Sequence, residues 1–310
     1  MNQKFNIGCS SNDKYAQHMG VMIYSLLANC KNPEKIKIFV VDGGISEDNK
    51  NKIKKVTSKF KAELKFLSPE IDLTGIRVYK HFGIETYYRF FLFDKCNFEK
   101  ILYLDSDLIV EGDISEIFKI DFAENIIFAV KDPGAYEDKK RLLDIPVKNL
   151  YFNAGVLYVD CNKWKKEKIS EKSIGYMKKN PDRIEYADQD ALNHILIEKW
   201  KELDPSWNVI TRVYYKKYLP WMKISDYKKE ELDLVAKNPK ILHFAGIVKP
   251  WFLLDRHSKK GRYIFYLQKT PWRNYKFPDS NLKGFLRRLK DYFNFIFEKI
   301  NYWIKSRKIK

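Results

Sequence analysis

The sequence predicts an α/β fold: a mostly parallel central sheet flanked by helices on both faces, followed by an amphipathic helical C-terminal tail. Three observations predict it. Strand-like and helix-like segments alternate over residues 5–67. The run Lys100–Leu104 (KILYL) is almost wholly apolar, as a strand buried on both faces must be. No internal repeat, low-complexity linker or sharp change of composition occurs before about residue 265.

Phe5-Asn6-Ile7-Gly8-Cys9 reads as a short strand, and after a polar loop the apolar-rich residues 15–28 read as a helix. Residues 35–41 (KIKIFVV) form a second strand, closed by an Asp42-Gly43-Gly44 turn. Ser46 then caps a helix running to about Phe60, and Glu63–Leu67 is a third strand. Such a βαβαβ unit binds ligands beyond the carboxyl ends of its strands. Residues 84–93 read as a helix, Lys100–Leu104 as the central strand, and residues 126–130 and 155–159 as further strands. Helices are expected at Ile169–Lys179 and 189–197, and a last strand at 241–244 ahead of Gly246. The expected organisation is one domain over 1–265, a connector over 266–280 holding Pro271 and Pro278, and a basic amphipathic tail over 281–310.

Composition bounds the function. With 310 residues, 45% of them hydrophobic and 15% aromatic, the chain can bury a large core, which excludes a disordered polymer. No apolar run of about eighteen residues is present and the opening residues carry no apolar signal region, so a cytoplasmic protein is expected. Cys9, Cys30, Cys96 and Cys161 lie far apart without a C-x-x-C pair, which favours free, mostly buried thiols over a zinc site or a disulfide framework. A net charge of +18 requires an anionic partner: nucleic acid, anionic lipid or a phosphorylated small molecule. The P-loop pattern and G-x-G-x-x-G are absent, which removes simple ATPase and dehydrogenase readings.

Chemistry gathers at two places. Asp105-Ser106-Asp107 sets two carboxylates one residue apart where the central strand runs out. If the chain turns there, both face one hard cation that keeps positions free for phosphate oxygens. D-x-D spacings also arise by chance, Asp188-Gln189-Asp190 being another, and strand-end capping is the competing account. What lifts Asp105 and Asp107 above it is the segment His243-Phe244-Ala245-Gly246-Ile247-Val248-Lys249-Pro250-Trp251. There an imidazole suits a transition metal, a glycine lets backbone approach a phosphate, and a lysine supplies a point charge. His18, His81, His194 and His257 lack such company and are expected to be structural. Ser10, Asn12 and Asp13 offer hydrogen-bonding groups at the end of the first strand, where a base would sit; helix capping is the competing role of Asp13.

Together with Asp42-Gly43-Gly44-Ile45-Ser46, Thr86-Tyr87-Tyr88-Arg89, Tyr103-Leu104-Asp105-Ser106-Asp107, Tyr151-Phe152-Asn153-Ala154-Gly155-Val156 and Asp188-Gln189-Asp190-Ala191-Leu192-Asn193, these residues resemble the family 8 glycosyltransferases over roughly residues 5–255. That family includes bacterial lipooligosaccharide galactosyltransferases and glycogenin. Length and the basic, aromatic tail are most similar to its lipooligosaccharide α-galactosyltransferase and general stress branch. The resemblance implies a GT-A (nucleotide-diphospho-sugar transferase) fold. It also implies retaining transfer of galactose or glucose from a UDP-sugar to a saccharide or glycolipid acceptor, in the synthesis of lipopolysaccharide, lipooligosaccharide or another cell-surface glycan. Mn²⁺, with Mg²⁺ as the alternative, would be held by Asp105, Asp107 and His243, and the diphosphate by Lys249 and the backbone at Gly246. Arg89, Asp105, Asn153, Ala154, Asp188 and Gln189 fall on donor-hexose positions and Asp132 on the boundary with the acceptor. Tyr15 falls on the base, with Ser10 and Asn12 beside it. The chain departs from the family where an acidic residue and an asparagine often precede the stacking tyrosine; here stand Asn12 and Lys14.

Breaking a glycosyl phosphate bond builds positive charge on the sugar and negative charge on the diphosphate. The metal and Lys249 address the second; the Asp188 carboxylate and the Gln189 amide oxygen address the first. On the resemblance, catalytic duty falls to Gln189, Asp188, Asp132 and Arg89, through a covalent intermediate or through attack on the face that the diphosphate leaves.

Residues 281–310 carry nine Lys or Arg against two acids, +7 of the total +18. Leu282, Phe285, Leu286, Leu289, Phe293, Ile296, Ile300 and Trp303 recur at helical spacing, with Lys283, Arg287, Lys290, Asn294 and Asn301 off that stripe and Lys305, Arg307, Lys308 and Lys310 at the end. This reads as a helix lying in an anionic membrane surface, peripheral on the inner face of the cell membrane; docking on the domain or on a partner is the alternative. Deleting 281–310 is then expected to release vesicles and spare activity on a soluble acceptor. Competing functions are a non-catalytic sugar-nucleotide binder and a nucleotidyltransferase, which has no need of residues 243–251. A nucleic-acid partner is not expected, since no helix-turn-helix, RNA-binding signature or zinc module is present.

Overall fold

Strand and helix alternate through the first half of the chain. In the computed structural model β1 (Phe5–Ser11) is followed by α1 (Asp13–Asn29), β2 (Ile36–Asp42), α2 (Glu47–Lys59) and β3 (Glu63–Leu67). α3 (Tyr88–Lys95) leads into β4 (Lys100–Leu104), after which the chain turns into the short β5 (Leu108–Val110). Then come β6 (Ile127–Lys131), α4 (Glu137–Leu142), β7 (Phe152–Asp160), α5 (Cys161–Lys166), α6 (Ile169–Lys179), α7 (Ala187–Ile195), β8 (Trp200–Glu202) and β9 (Val209–Ile210). α8 (Thr211–Tyr215), α9 (Lys229–Lys237), β10 (Ile241–His243), α10 (Lys260–Leu267) and α11 (Leu282–Lys308) complete the elements. The structure describes residues 4–78, 82–134, 137–215 and 227–308, without the side chains of Tyr215, Lys229, Phe295 and 298–308. His81 and Lys310, and the side chains of Ile300, Asn301, Trp303, Lys305, Arg307 and Lys308, therefore lie outside the described residues.

The seven-stranded sheet runs β3-β2-β1-β4-β7-β6-β8. β3, β2, β1 and β4 pair in parallel, as do β6 and β8, while β7 is antiparallel to both β4 and β6. Strand order reverses direction at β1 and β4, the crevice where open α/β sheets bind ligands. The apolar run of β4 feeds both faces. Leu102 and Leu104 pack with Met19, Met22 and Leu26 of α1, whereas Ile101 and Tyr103 pack with Phe90 and Phe93 of α3 and the core around Trp164. Period-two alternation in a strand covered on both sides accounts for this split.

Of the second sheet, β5-β10-β9, only the strand expected at 241–244 was legible in the sequence, as β10; β5 and β9, of three and two residues, carry too little periodicity. This sheet matters for the site. β10 pairs with β5 in a register that sets His243 opposite Leu108, and Phe244 N donates to Asp107 O at 3.0 Å. The helix expected from residue 84 begins as a 3₁₀ turn, Ile84–Tyr87, before α3. Ser46 caps α2 as expected, accepting from Asn49 N. All four cysteines are free and buried.

The residues after α10 pack on the sheet domain. Trp272 is 8% exposed, lies where a Cβ on Gly20 of α1 would collide with it, and donates from Nε1 to Asn49 Oδ1 at 3.0 Å. α11 covers the length predicted for the tail. Most of its apolar stripe faces outward: Leu282, Leu286, Phe293 and Ile296 are more than half exposed, while Phe285 is less so and Leu289 is half-buried. Arg288, off that stripe, is 5% exposed. Among the described residues no helix is long and apolar enough to cross a membrane.

Candidate active site

The carboxyl ends of β1, β4 and β10 meet the amino ends of β7 and α7 at one end of the main sheet's central strands. Asp105, Asp107 and His243 each offer one ligand atom there, all within 4.8 Å of one another. The turn after β4 is held by Asp105 N donating to Gly155 O at 2.9 Å and by Ser106 Oγ donating to Ser10 O at 2.9 Å, which leaves the two flanking carboxylates on one side. His243 Nε2 lies 3.3 Å from Asp107 Oδ1 and 4.0 Å from Asp105 Oδ2. Its Nδ1 is 2.9 Å from Asn208 Oδ1, and the Asn208 amide nitrogen is committed to Asn153 Oδ1 at 2.9 Å. Nδ1 therefore carries the hydrogen and Nε2 turns a lone pair toward the carboxylates. That arrangement repels unless positive charge lies between, and a mixed imidazole and carboxylate set suits an ion such as Mn²⁺. The donor set fits the expected metal.

Gly155 makes the approach possible. A Cβ there would overlap the His243 ring and stand 3.0 Å from Asp105 Oδ2. Lys249 closes the other side: its Nζ ion-pairs with Asp107 Oδ2 and donates to Phe244 O at 2.7 Å. Gly246, at φ +87, supplies the left-handed turn between them. Burial alone would raise the Asp107 carboxyl, but the Lys249 ammonium against it outweighs burial and holds it well below the usual carboxylate range. Asp105 moves the other way, raised by burial against the pull of Arg89.

Beside these groups lies a second cluster. Arg89, 2% exposed, donates to Asp105 Oδ1 at 2.9 Å and to Ala154 O at 2.5 Å, and its Nε is 3.0 Å from Asp188 Oδ2. Burial opposes its charge, yet Asp188 and Asp105 hold the guanidinium above its ordinary pKa. Asp188 accepts from Thr86 Oγ1 at 2.7 Å through Oδ1. The Arg89 Nε hydrogen goes to Thr86 O, so Asp188 Oδ2 is buried with no hydrogen donor. Burial raises Asp188 to about 6, despite Arg89 and Thr86. Gln189 Oε1 accepts from Asn153 Nδ2 and Ala154 N, while Nε2 donates to Asp132 Oδ2 and Tyr151 Oη. A continuous chain of hydrogen bonds thus runs from Asp132 through Gln189, Asn153 and Asn208 to His243.

The sequence profile of Glycosyl transferase family 8 matches residues 6–254. The chain belongs to glycosyltransferase family 8. General stress protein A of Bacillus subtilis is 34% identical to it over 281 residues, covering 89% of this chain and 96% of that one. Lipopolysaccharide 1,3-galactosyltransferase of Salmonella typhimurium is 28% identical over 280 residues, with 87% and 79% covered. The crystal structure of galactosyltransferase LgtC with donor and acceptor sugar analogs superposes at a TM-score of 0.76 with 24% identity, over 87% of this chain and 99% of that one. The fold is therefore GT-A, and the protein is a glycosyltransferase similar to those of lipopolysaccharide synthesis.

In this family 8 chain the sequence-predicted residues mostly gather at the carboxyl ends of the central strands. Asp105, Asp107, His243, Lys249, Arg89, Asp188, Gln189, Asn153, Ala154 and Asp132 are joined by the contacts above. The base-side residues stand further along β1. Ser10 Oγ donates to Glu85 O and meets Tyr103 Oη, each at 2.8 Å. Asn12 caps α1 through Oδ1 and donates from Nδ2 to Glu85 Oε1 at 3.0 Å. Asp13 instead binds Ser46 N and Asn49 Nδ2, tying α1 to α2. Tyr15 stands edge-on to Trp251 and His18. The described histidines outside this cluster are structural: His18 stacks on Trp251 at 3.7 Å and burial lowers it to about 3, His194 stacks on Tyr176, and burial lowers His257 to about 4. Sequence reasoning missed Asn208, Glu85 and Tyr151. Tyr151 lay inside a quoted motif, but Asn208 and Glu85 sit in short 3₁₀ turns with no pattern of their own.

Proposed function

We propose that this glycosyltransferase is a metal-dependent, retaining hexosyltransferase that moves galactose or glucose from a UDP-sugar to a saccharide or glycolipid acceptor in cell-surface glycan synthesis. The observation that carries the reading is the convergence of Asp105, Asp107 and His243 within 4.8 Å, with Lys249 against Asp107. Those three side chains would hold Mn²⁺. What a divalent ion supplies when bound there is positive charge against the leaving diphosphate. Lys249, already dehydrated against Asp107, adds a second cation on the same side, and the turn at Gly246 lets backbone approach a phosphate oxygen. Asp188 Oδ2 stands 3.0 Å from the Arg89 guanidinium, and Asp132 and Tyr151 fix the Gln189 amide so that its oxygen points to the Asn153 and Ala154 side.

The tail supports work at an anionic membrane surface, peripheral on the inner face of the cell membrane. Its outward apolar stripe is flanked by the exposed bases Lys283, Arg287 and Lys290, the pattern of an interfacial helix. α11 also lies against α4, the element that follows Asp132, so a surface-bound acceptor would arrive at the Asp132 side of the site.

Calorimetric titration of UDP with and without Mn²⁺, followed by UDP-galactose and UDP-glucose hydrolysis, tests the reading. Tight binding only with the ion, slow metal-dependent hydrolysis, and loss of turnover by at least about a hundredfold in a folded Asp107→Ala variant are expected. Unchanged turnover in that variant would reject the site. Binding without any turnover would describe a sugar-nucleotide binder instead.

A further inference from the structure

The tail helix is anchored beneath the loop that carries Lys249, and by one buried carboxylate. Asp255 is 1% exposed. Its Oδ2 accepts the backbone N–H of Lys249 at 2.7 Å. From α11, Arg288 donates to Asp255 through Nε at 3.3 Å and through Nη2, and Tyr292 Oη donates to Asp255 Oδ1 at 2.5 Å. The same Nη2 also binds Ile247 O. The guanidinium lies 4.0 Å from the Phe252 ring centre and 4.8 Å from that of Tyr292, so its faces are covered as well. Asp279, just before α11, receives Leu253 N and Leu254 N at 2.7 Å each.

These contacts are too costly to be incidental. A buried ion pair stands only when its remaining hydrogen-bonding capacity is used, and here both carboxylate oxygens of Asp255 are. The helix therefore docks through its polar edge and leaves its apolar stripe free, the reverse of a tail that packs on the domain for burial. Removing Arg288 would strand Asp255 without its cation, and the cheapest relief is movement of residues 247–255 toward water. Lys249 would move with them, since its main-chain N–H is one of the groups released.

We propose that Arg288 and Tyr292 are positioning residues for the donor diphosphate, acting through Asp255 on the backbone of Lys249. The docked edge of the first three turns of α11 then belongs to the active-site scaffold, while their outward stripe and the segment beyond Tyr292 are free to serve a surface. The deletion of 281–310 expected above to spare activity would on this account impair it. The proposal rests on the reading that Lys249 faces the diphosphate.

UDP and UMP binding in the presence of Mn²⁺ separates the two, because UMP lacks the second phosphate. Arg288→Ala is expected to weaken UDP binding about tenfold while UMP changes by less than about twofold, with Arg288→Lys intermediate. Chains ending at Asn294 should keep wild-type UDP affinity; chains ending at Ser280 should behave like Arg288→Ala. Amide exchange in peptides spanning 246–252 should accelerate in Arg288→Ala, with β4 and β7 peptides unchanged, which also shows that the variant is folded. Unchanged UDP affinity in Arg288→Ala, or an equal loss for UDP and UMP, would overturn the proposal. If wild-type protein binds no UDP with Mn²⁺, the functional reading fails, and the exchange rate at 246–252 alone judges the anchor.

Discussion

Asp188 shows how much a single buried group can report. Its carboxyl is raised to about 6 by burial, so the native state holds its proton more tightly than the unfolded chain does. Ionised, it costs stability above pH 6, and the cost is relieved as pH falls from there toward the unfolded value near 4. Asp188→Asn has no proton to bind. The melting-temperature difference between wild type and variant should therefore shift in favour of the wild type between about pH 7 and pH 5; a pH-independent difference would show Asp188 unchanged in ionisation over that range. The residue itself was legible from its motif. Its missing hydrogen donor was not, because that depends on Arg89 Nε choosing Thr86 O over the carboxylate.

At the level of elements, the site depends on β7 and β10 passing close together, and Gly155 is the residue that permits it. Gly155→Ala should leave the seven-stranded sheet intact while driving the His243 ring away from Asp105. We expect metal-dependent turnover to fall about a hundredfold, with a far smaller change in UMP binding; an alanine variant at wild-type rate would show that His243 has other room. The long elements behaved as their sequences suggested, since β1 to β4 and α2, α6 and α11 carry whole periods of apolar residues. β5 and β9 do not. Their register exists only because β10 closes against β5, and it is this pairing that places His243 beside Asp107.

For the whole molecule, the distribution of charge and apolar surface separates two ends of α11. Protein should sediment with anionic vesicles at low ionic strength and be released as salt rises, because exposed charges are screened within about 10 Å at 0.1 M. A chain ending at Asn294 should lose most of this binding and keep its UDP affinity; undiminished sedimentation would move the surface elsewhere. The sequence by itself determined the α/β class, the family motifs, the pairing of an Asp-x-Asp with a distant histidine as the candidate site and the amphipathic length of the tail. Each of these is written in local spacing or in residue chemistry. Tertiary structure alone decided which face of the tail docks, that Asp255 links it to Lys249, and that Asn208 fixes the His243 tautomer. Those depend on contacts between segments 33 to 41 residues apart, and a linear pattern carries no record of which distant polar group will satisfy a buried one.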